Sequence, residues 1–245
     1  MADLDSDTRR LLGRTAKLAA DFLEALDTRP VGPHAALGDL RAALGGPLPE
    51  EPAPPLEVVE QLAARAGPGL VGMAGGRYFG FVIGGGLPAA LAADWLTSAW
   101  DQNAGLHVCG PSAVVAEEVT HGWLVGLLGL PAGTSFAVTT GCQMAHFTCL
   151  AAAREHLLFG AGWDLDRRGL TGAPPIRVLV GARRHVTIDR ALRFLGIGQA
   201  AIRPVEADGQ GRMRPEALHR ALVDGRGATI VCAQAGEVNT GAFNE

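Results

Sequence analysis

The sequence has 245 residues and a net charge of −4, with 48% hydrophobic and 19% charged residues. A chain of this length can bury a sizeable core, and its mild acidity excludes the basic footprint of a nucleic-acid-binding domain. The polar start lacks the features of a signal peptide, and glycine or proline interrupts each apolar stretch. We therefore expect a cytoplasmic protein that binds neither nucleic acid nor membrane.

Cysteine and lysine usage limits the chemistry further. The four cysteines form no C-x-x-C pair and have no histidine at zinc-finger spacing, so we expect no metal site. Lys17 is the one lysine among the 21 basic residues. That count restricts every mechanism that needs a lysine amine.

The N-terminal part of the chain predicts a helical segment with a proline-rich interruption. Apolar residues at helical spacing predict a first helix that Ser6 caps. The predicted helices span 6–26, 35–43 and 56–66. The stretch Pro47–Pro55 predicts a linker or an arm over another surface. Because the character of the sequence changes at about Gly67, we divide the chain into a helical segment, 1–66, and a larger domain, 67–245.

In the larger domain, helices are followed by alternating strands and helices. The predicted helices are Pro88–Trp100, Ser112–Leu128, Cys142–Leu158, Thr187–Leu195 and Arg214–Val223. The predicted strands are Ser135–Thr140, Ile176–Gly181, Ala201–Glu206 and Ala228–Ala233. This alternation predicts an α/β fold with a mainly parallel sheet that helices cover on both faces.

The first candidate site is the turn before the helix that begins at Cys142. Gly141 allows the backbone to turn tightly, which leaves the amides of Cys142 and Gln143 free at the helix N-terminus. Free amides and the helix dipole together favour a phosphate group. An ordinary strand–helix turn is the alternative. The turn is neither a G-x-G-x-x-G fingerprint nor a P-loop.

Three further segments are candidates because of their positions. His185 follows the strand Ile176–Gly181, and ligands of open α/β sheets bind beyond the carboxyl ends of such strands. A surface histidine is the alternative. The small and polar stretch Gln234–Gly241 follows the last predicted strand, where a plain turn is the simpler explanation. Three glycines, Gly84–Gly86, allow close approach of a ligand or another chain, although a flexible turn is more common.

Taken together, several segments occur in an order typical of one enzyme family. They are Arg77–Gly80, Cys109–Ser112, Thr139–His146, Ala152–Arg154, His185, Gly211–Met213 and Ala235–Asn244. In this order they resemble the group II pyridoxal-phosphate (PLP) dependent amino-acid decarboxylases, which include the glutamate and aromatic amino-acid decarboxylases. The resemblance implies an incomplete large domain of the fold type I PLP-dependent transferases, preceded by a helical N-terminal segment.

The resemblance also implies roles for individual residues. The turn residues bind the phosphate of pyridoxal 5′-phosphate mainly through their backbone, a histidine stacks on the pyridine ring, and two glycines belong to a substrate-facing loop. The corresponding residues are Gly141, Cys142 and Gln143 for the phosphate, His185 as the stacking catalytic residue, Val238 for the cofactor lining, and Gly84 and Gly85 for the substrate.

The sequence departs from the family pattern at several positions. Glu237 and Val238 replace threonines, and a carboxylate at Glu237 is unfavourable beside a phosphate unless it points away. Asn244 replaces an aspartate. The Schiff-base lysine and the aspartate that binds the pyridine nitrogen have no counterpart, since Lys17 lies in the first helix and matches neither position. We therefore expect the isolated chain to be inactive.

The resemblance implies a carboxy-lyase of amino-acid metabolism that acts on an amino-acid substrate. It also implies a homodimer in which the segment 1–66 wraps the partner. Two alternatives remain open at this stage. One is another PLP enzyme of the same fold, such as an aminotransferase or a lyase. The other is a truncated, non-catalytic relative that serves as a partner or structural module.

Overall fold

The structure, a computed structural model, describes residues 5–244. It divides into two compact units, the first ending at Gln102 and the second beginning at Asn103. These units reflect backbone packing within the chain. The functional division at residues 66 and 67 remains a prediction. None of the helices described between residues 5 and 244 is long and apolar enough to cross a membrane.

The first unit consists of helices joined by loops and short 3-10 turns. Its helices are α1 (Ser6–Glu24), α2 (Leu37–Leu44), α3 (Pro55–Ala66) and α4 (Pro88–Trp100). These bounds confirm the four predicted helices. The predicted cap of α1 is wrong, because Asp5 lies one residue earlier and its Oδ1 accepts a hydrogen bond from the Asp7 N–H at 3.2 Å. A carboxylate caps a helix as well as a hydroxyl does.

Polar contacts connect the elements of the first unit. Arg14 Nε lies 2.7 Å from Glu60 Oε1 and joins α1 to α3. The Arg29 guanidinium lies 4.5 Å from the centre of the Phe22 ring. Arg77 donates to the carbonyl of Arg29 at 2.6 Å. Among the described residues up to Gln102, no hydrophobic side chain is buried.

The second unit contains five helices and three strands among its described residues. The helices are α5 (Pro111–Leu128), α6 (Cys142–Gly160), α7 (Leu165–Arg168), α8 (Val186–Phe194) and α9 (Pro215–Val223). The strands are β1 (Ile176–Gly181), β2 (Ile202–Val205) and β3 (Ala228–Cys232). The strands pair in parallel in the order β2-β1-β3, which confirms the predicted parallel sheet.

The fourth predicted strand is wrong. Ser135–Thr140 has no regular secondary structure and pairs with none of the strands described in residues 5–244. Its pattern is compatible with a strand, but a strand also requires a neighbouring strand for its hydrogen bonds. Val138 in this segment has 65% of its surface exposed, so the segment lacks the packing that would hold it in a sheet.

The core forms on both faces of β1. On one face, Val178 and Val180 pack with Leu150 of α6 and Leu192 of α8. On the other, Leu179 packs with Met213 and with the first turns of α9. Successive strand residues point to opposite faces, so the apolar residues Val178–Val180 bury both sides of β1. The predicted two-sided covering of the sheet is confirmed for the described part of the chain.

Candidate functional site

The candidate site lies at the carboxyl edge of the sheet. The central strand β1 and its neighbour β3 are parallel, and Val180 stands in register with Cys232. The loops that follow these two strands therefore leave the sheet at the same edge, where α/β proteins bind their ligands. One loop leads to His185 and the other to Val238.

The N-terminus of α6 has free hydrogen-bond donors. The first backbone hydrogen bonds of this helix run from the Met144 and Ala145 N–H groups to the Gly141 carbonyl, at 3.0 and 3.1 Å. Within residues 5–244, the preceding amides of Cys142 and Gln143 have no acceptor, and Gly141 contributes no side chain that could cap them. Such orphan donors at the positive end of a helix bind anions.

The backbone of Gly141 explains why this turn can remain open. Its φ of 154° and ψ of 171° lie in a region that is essentially restricted to glycine. No atom lies within 4 Å of the position that a Cβ would occupy there. The cradle is therefore maintained by backbone conformation and is open above the turn.

His185 directly precedes α8 and caps it. Its Nδ1 accepts a hydrogen bond from the Thr187 N–H at 3.3 Å and lies 2.8 Å from the Thr187 hydroxyl. The side chain is otherwise exposed at the sheet edge. An imidazole that is held at one nitrogen and open on its faces can stack on an aromatic ligand.

Thr187 joins the two helix N-termini. Its hydroxyl also lies 2.8 Å from Nδ1 of His146, which is one turn inside α6. Gln143 Nε2 donates to the Thr187 carbonyl at 3.4 Å, and Arg190 donates to Gln143 Oε1 at 3.4 Å. The phosphate cradle predicted on α6 and the histidine predicted on α8 therefore belong to one connected cluster.

The environment of His146 favours its neutral form. Burial lowers the pKa of His146, and the nearby His185 lowers this pKa further. A histidine with a pKa below its ordinary value of about 6.5 is uncharged at neutral pH. His146 therefore contributes a neutral imidazole to this cluster.

Glu237 is buried and is turned into its own loop. The residue is 4% exposed, and its carboxylate accepts from the backbone N–H groups of Asn239 at 2.8 Å and Thr240 at 2.9 Å. Both side chains donate to it as well. Burial alone raises the pKa of Glu237, but these four donors outweigh burial and the pKa lies below its ordinary value. Donors of its own loop therefore satisfy the Glu237 carboxylate.

A second loop supports the segment around Glu237. Gly211 is buried with φ of 87°, and a Cβ there would lie 3.1 Å from Cδ of Arg183 and 3.2 Å from Cγ of Glu237. The Met213 N–H donates to Asn244 Oδ1 at 2.8 Å. The amide oxygen of Asn244 therefore supplies an acceptor at the position where the family pattern has an aspartate.

Among residues 5–244, the remaining predicted residues form no hydrogen bond with the cluster. Val238 is 63% exposed in the loop after β3, at the same sheet edge as His185. Gly84 and Gly85 are exposed in the loop before α4, in the first unit. Their assigned roles remain predictions. Within residues 5–244, no group of three or more His, Cys, Asp or Glu side chains could hold a metal ion.

The model of the pyridoxal-dependent decarboxylase conserved domain matches residues 38–245. The chain belongs to this family. Tryptophan decarboxylase 1 from Oryza sativa subsp. japonica is 27% identical over 97% of this chain and 49% of its own length. An aromatic-L-amino-acid decarboxylase from Bacillus atrophaeus is 27% identical over 98% and 49%, respectively. The chain thus spans about half the length of these curated relatives.

Solved structures confirm the fold. Mouse CSAD in its apo form matches with a TM-score of 0.86 and 24% identity over 97% of this chain and 50% of that one. Oryza sativa TDC with PLP and tryptamine also has a TM-score of 0.86 at 24% identity, over 100% and 52%. The predicted fold type I architecture is therefore confirmed, and the chain corresponds to a partial domain.

Sequence reasoning missed two members of the cluster, Thr187 and His146. His185 is the one histidine of the seven that the sequence pattern indicates. One signal was available, because residue 146 lies four positions after Cys142 and so faces the same side of α6. Thr187 carried the second signal, since a residue two positions after a helix cap lies beside the capping side chain.

Proposed function

We propose that this chain supplies the phosphate cradle and the ring-stacking histidine of a PLP-dependent amino-acid decarboxylase. One observation carries the proposal: the free amides of Cys142 and Gln143 and the exposed imidazole of His185 form one cluster at the carboxyl edge of the sheet. Family membership gives the cofactor that this cluster would bind.

The residues of the cluster match the chemical groups of the cofactor. When bound, PLP accepts the electron pair that remains on the substrate when CO₂ leaves. The Cys142 and Gln143 amides would donate to the phosphate, and the α6 dipole favours its negative charge. The His185 imidazole would pack on the pyridine ring and fix its plane. Val238 would add an apolar contact from the β3 loop.

We propose an amino acid as the substrate, with Gly84 and Gly85 in the loop that faces it. The relatives are named for tryptophan, for aromatic L-amino acids and, in mouse, for cysteine sulfinic acid, which share the amino-acid core. We also propose a cytoplasmic homodimer with residues 1–66 as its arm. Exposed apolar side chains such as Leu12 and Leu62, each 58% exposed, support an arm that a partner covers.

The 245-residue chain should bind the cofactor reversibly and release no CO₂ by itself. Its lysine, Lys17, is engaged with the Asp21 carboxylate at 2.8 and 2.9 Å in α1. This ion pair directs the Lys17 nitrogen at a carboxylate of its own helix. Without a lysine that binds the aldehyde, the cradle and the histidine provide non-covalent contacts alone.

The test is borohydride reduction of the purified chain mixed with PLP, followed by peptide mapping, with Lys17→Arg as the matched control. We expect the same non-covalent affinity in both proteins and no stoichiometric pyridoxyl label. Stoichiometric labelling of Lys17, or loss of binding in Lys17→Arg, would overturn the proposed site. Release of CO₂ from an amino acid by the chain alone would overturn the expected inactivity.

A further inference from the structure

The Thr187 hydroxyl lies between two imidazole nitrogens. Its Oγ1 is 2.8 Å from Nδ1 of His146 and 2.8 Å from Nδ1 of His185. The residue is 8% exposed, so water does not compete freely for these contacts. A hydroxyl has one proton to donate and accepts through its lone pairs. It can therefore donate to one imidazole while it accepts from the other.

The backbone decides the direction of this chain of hydrogen bonds. The Thr187 N–H points at His185 Nδ1 from 3.3 Å, and this contact favours a lone pair over a proton on that nitrogen. The proton in the short contact between His185 and the hydroxyl then comes from Thr187. The Thr187 oxygen is left as the acceptor of the His146 Nδ1–H. The sequence of donors is thus His146, Thr187 and His185.

We infer that His146 is a positioning residue that acts through Thr187 to hold His185 in its Nε2–H tautomer with the ring in one orientation. The consequence for the cofactor rests on the proposed function, whereas the tautomers are a property of the chain alone. A donor at position 146 keeps the hydroxyl proton directed at His185. Without that donor, the hydroxyl can rotate and the His185 ring loses its fixed partner.

The charges around the cluster agree with this assignment. Protonation of His185 at Nδ1 would direct that N–H at the Thr187 N–H, at the positive end of α8. Burial and the neighbouring imidazole lower the pKa of His146, so His146 adds no positive charge beside His185 at neutral pH. Arg190 donates to Gln143 Oε1 rather than to either imidazole, and Arg184 is paired with Asp189.

The first experiment reads ring tautomers by NMR in the 245-residue chain labelled with ¹⁵N-histidine, without any cofactor. In the wild type we expect His185 with a proton on Nε2 and none on Nδ1, and His146 with a proton on Nδ1. In His146→Leu we expect His185 to populate both tautomers. His146→Asn is the matched control, because its amide N–H can donate to Thr187 in the same way.

The second experiment compares Thr187→Val with Thr187→Ser. The first substitution removes the hydroxyl and the second keeps it, and neither changes a histidine. Thr187→Val should release the His185 tautomer as His146→Leu does, and it carries the test if His146→Leu fails to fold. Thr187→Ser should preserve it. A wild-type His185 that is protonated at Nδ1 would overturn the inference, as would ring signals that are unchanged in both His146→Leu and Thr187→Val.

A binding measurement separates this inference from the proposed function. Pyridoxine 5′-phosphate has no aldehyde and reports non-covalent contacts alone. We expect its affinity to fall by about threefold to tenfold in His146→Leu, as for the loss of one hydrogen bond, and to be retained in His146→Asn. Absence of binding by the wild type would contradict the proposed function and leave the tautomer result standing. Equal affinity in all three proteins would contradict the positioning role.

Discussion

The helices of residues 5–102 and the sheet region of residues 142–244 are held together in different ways. In the sheet region, apolar side chains such as Leu192, Val178 and Val180 are fully buried. In the described part of the first unit, no hydrophobic side chain is buried, and its polar contacts include a surface ion pair, hydrogen bonds and an arginine–aromatic contact.

This difference shows that amphipathic helices form from local pattern alone, whereas a core requires surfaces that close on one another. The α3 helix has a proline at its start and apolar residues at helical spacing, yet Leu62 stays 58% exposed. In contrast, β1 is enclosed because parallel strands flank it and helices cover both faces. The site lies where the chain has its own core, which keeps its geometry fixed.

The largest expected effect is a cavity in that core. Leu192→Ala removes a fully buried side chain from α8 and should lower the free energy of unfolding by about 2–5 kcal/mol. The control Leu12→Ala, at a residue 58% exposed in α1, should change it by less than about 0.5 kcal/mol. Urea denaturation measures both. Equal losses would remove the contrast between the two regions.

The next effect concerns the backbone of the cradle. Gly141→Ala forces a Cβ into a conformation that essentially excludes it, at a cost of about 1–3 kcal/mol, although no atom stands in its way. The turn should relax and phosphate binding should weaken. Gly133→Ala is the matched control, because that glycine has neither a positive φ nor a close neighbour. Denaturation and titration with a phosphate ligand measure both effects. If Gly141→Ala kept the stability and the affinity of Gly133→Ala, the backbone of Gly141 would not be strained.

A pH-dependent effect is expected in the loop after β3. The pKa of Glu237 lies below its ordinary value, so its stabilising contribution is present above about pH 4.3 and is lost as the pH falls through the folded-state pKa. Glu237→Gln should therefore be less stable than the wild type at neutral pH, with a difference that shrinks in acid. A difference that is constant with pH would contradict the carboxylate's role. Denaturation at a series of pH values measures it.

The smallest effect is expected at the surface of the first unit. The ion pair between Arg14 and Glu60 is short, at 2.7 Å, but the side chains are 37% and 44% exposed. Such a pair contributes about 0.2–1 kcal/mol. A double-mutant cycle with Arg14→Ala and Glu60→Ala measures the coupling. A coupling well above this range would show that polar contacts stabilise the first unit as strongly as a core does.

Most of the fold could be predicted from sequence where pattern is local and strong. The apolar residues of β1 and the prolines at the starts of α4 and α9 predicted these elements correctly. Ser135–Thr140 could not be judged this way, because strand formation depends on a partner that no local pattern reveals. The predicted cap of α1 was wrong by one residue because aspartate and serine both cap helices well, and Asp5 directly precedes Ser6.

The candidate site was predictable in its positions and less so in its connections. Gly141 and His185 stand at strand and helix ends, and such places can be recognised from sequence. The link through Thr187 depends on how α6 packs against α8, which brings together residues 41 apart in the chain. The inward turn of Glu237 depends on the donors of its own loop, which appear once the loop is folded.

The most direct test of the phosphate cradle and stacking histidine is an NMR titration of the 245-residue chain with pyridoxine 5′-phosphate, with unphosphorylated pyridoxine as the control ligand. We predict saturable shifts of the Cys142 and Gln143 amides and of the His185 ring with the phosphorylated ligand, and much weaker shifts with the control. Shifts confined to other parts of the chain, or equal shifts with both ligands, would contradict the account.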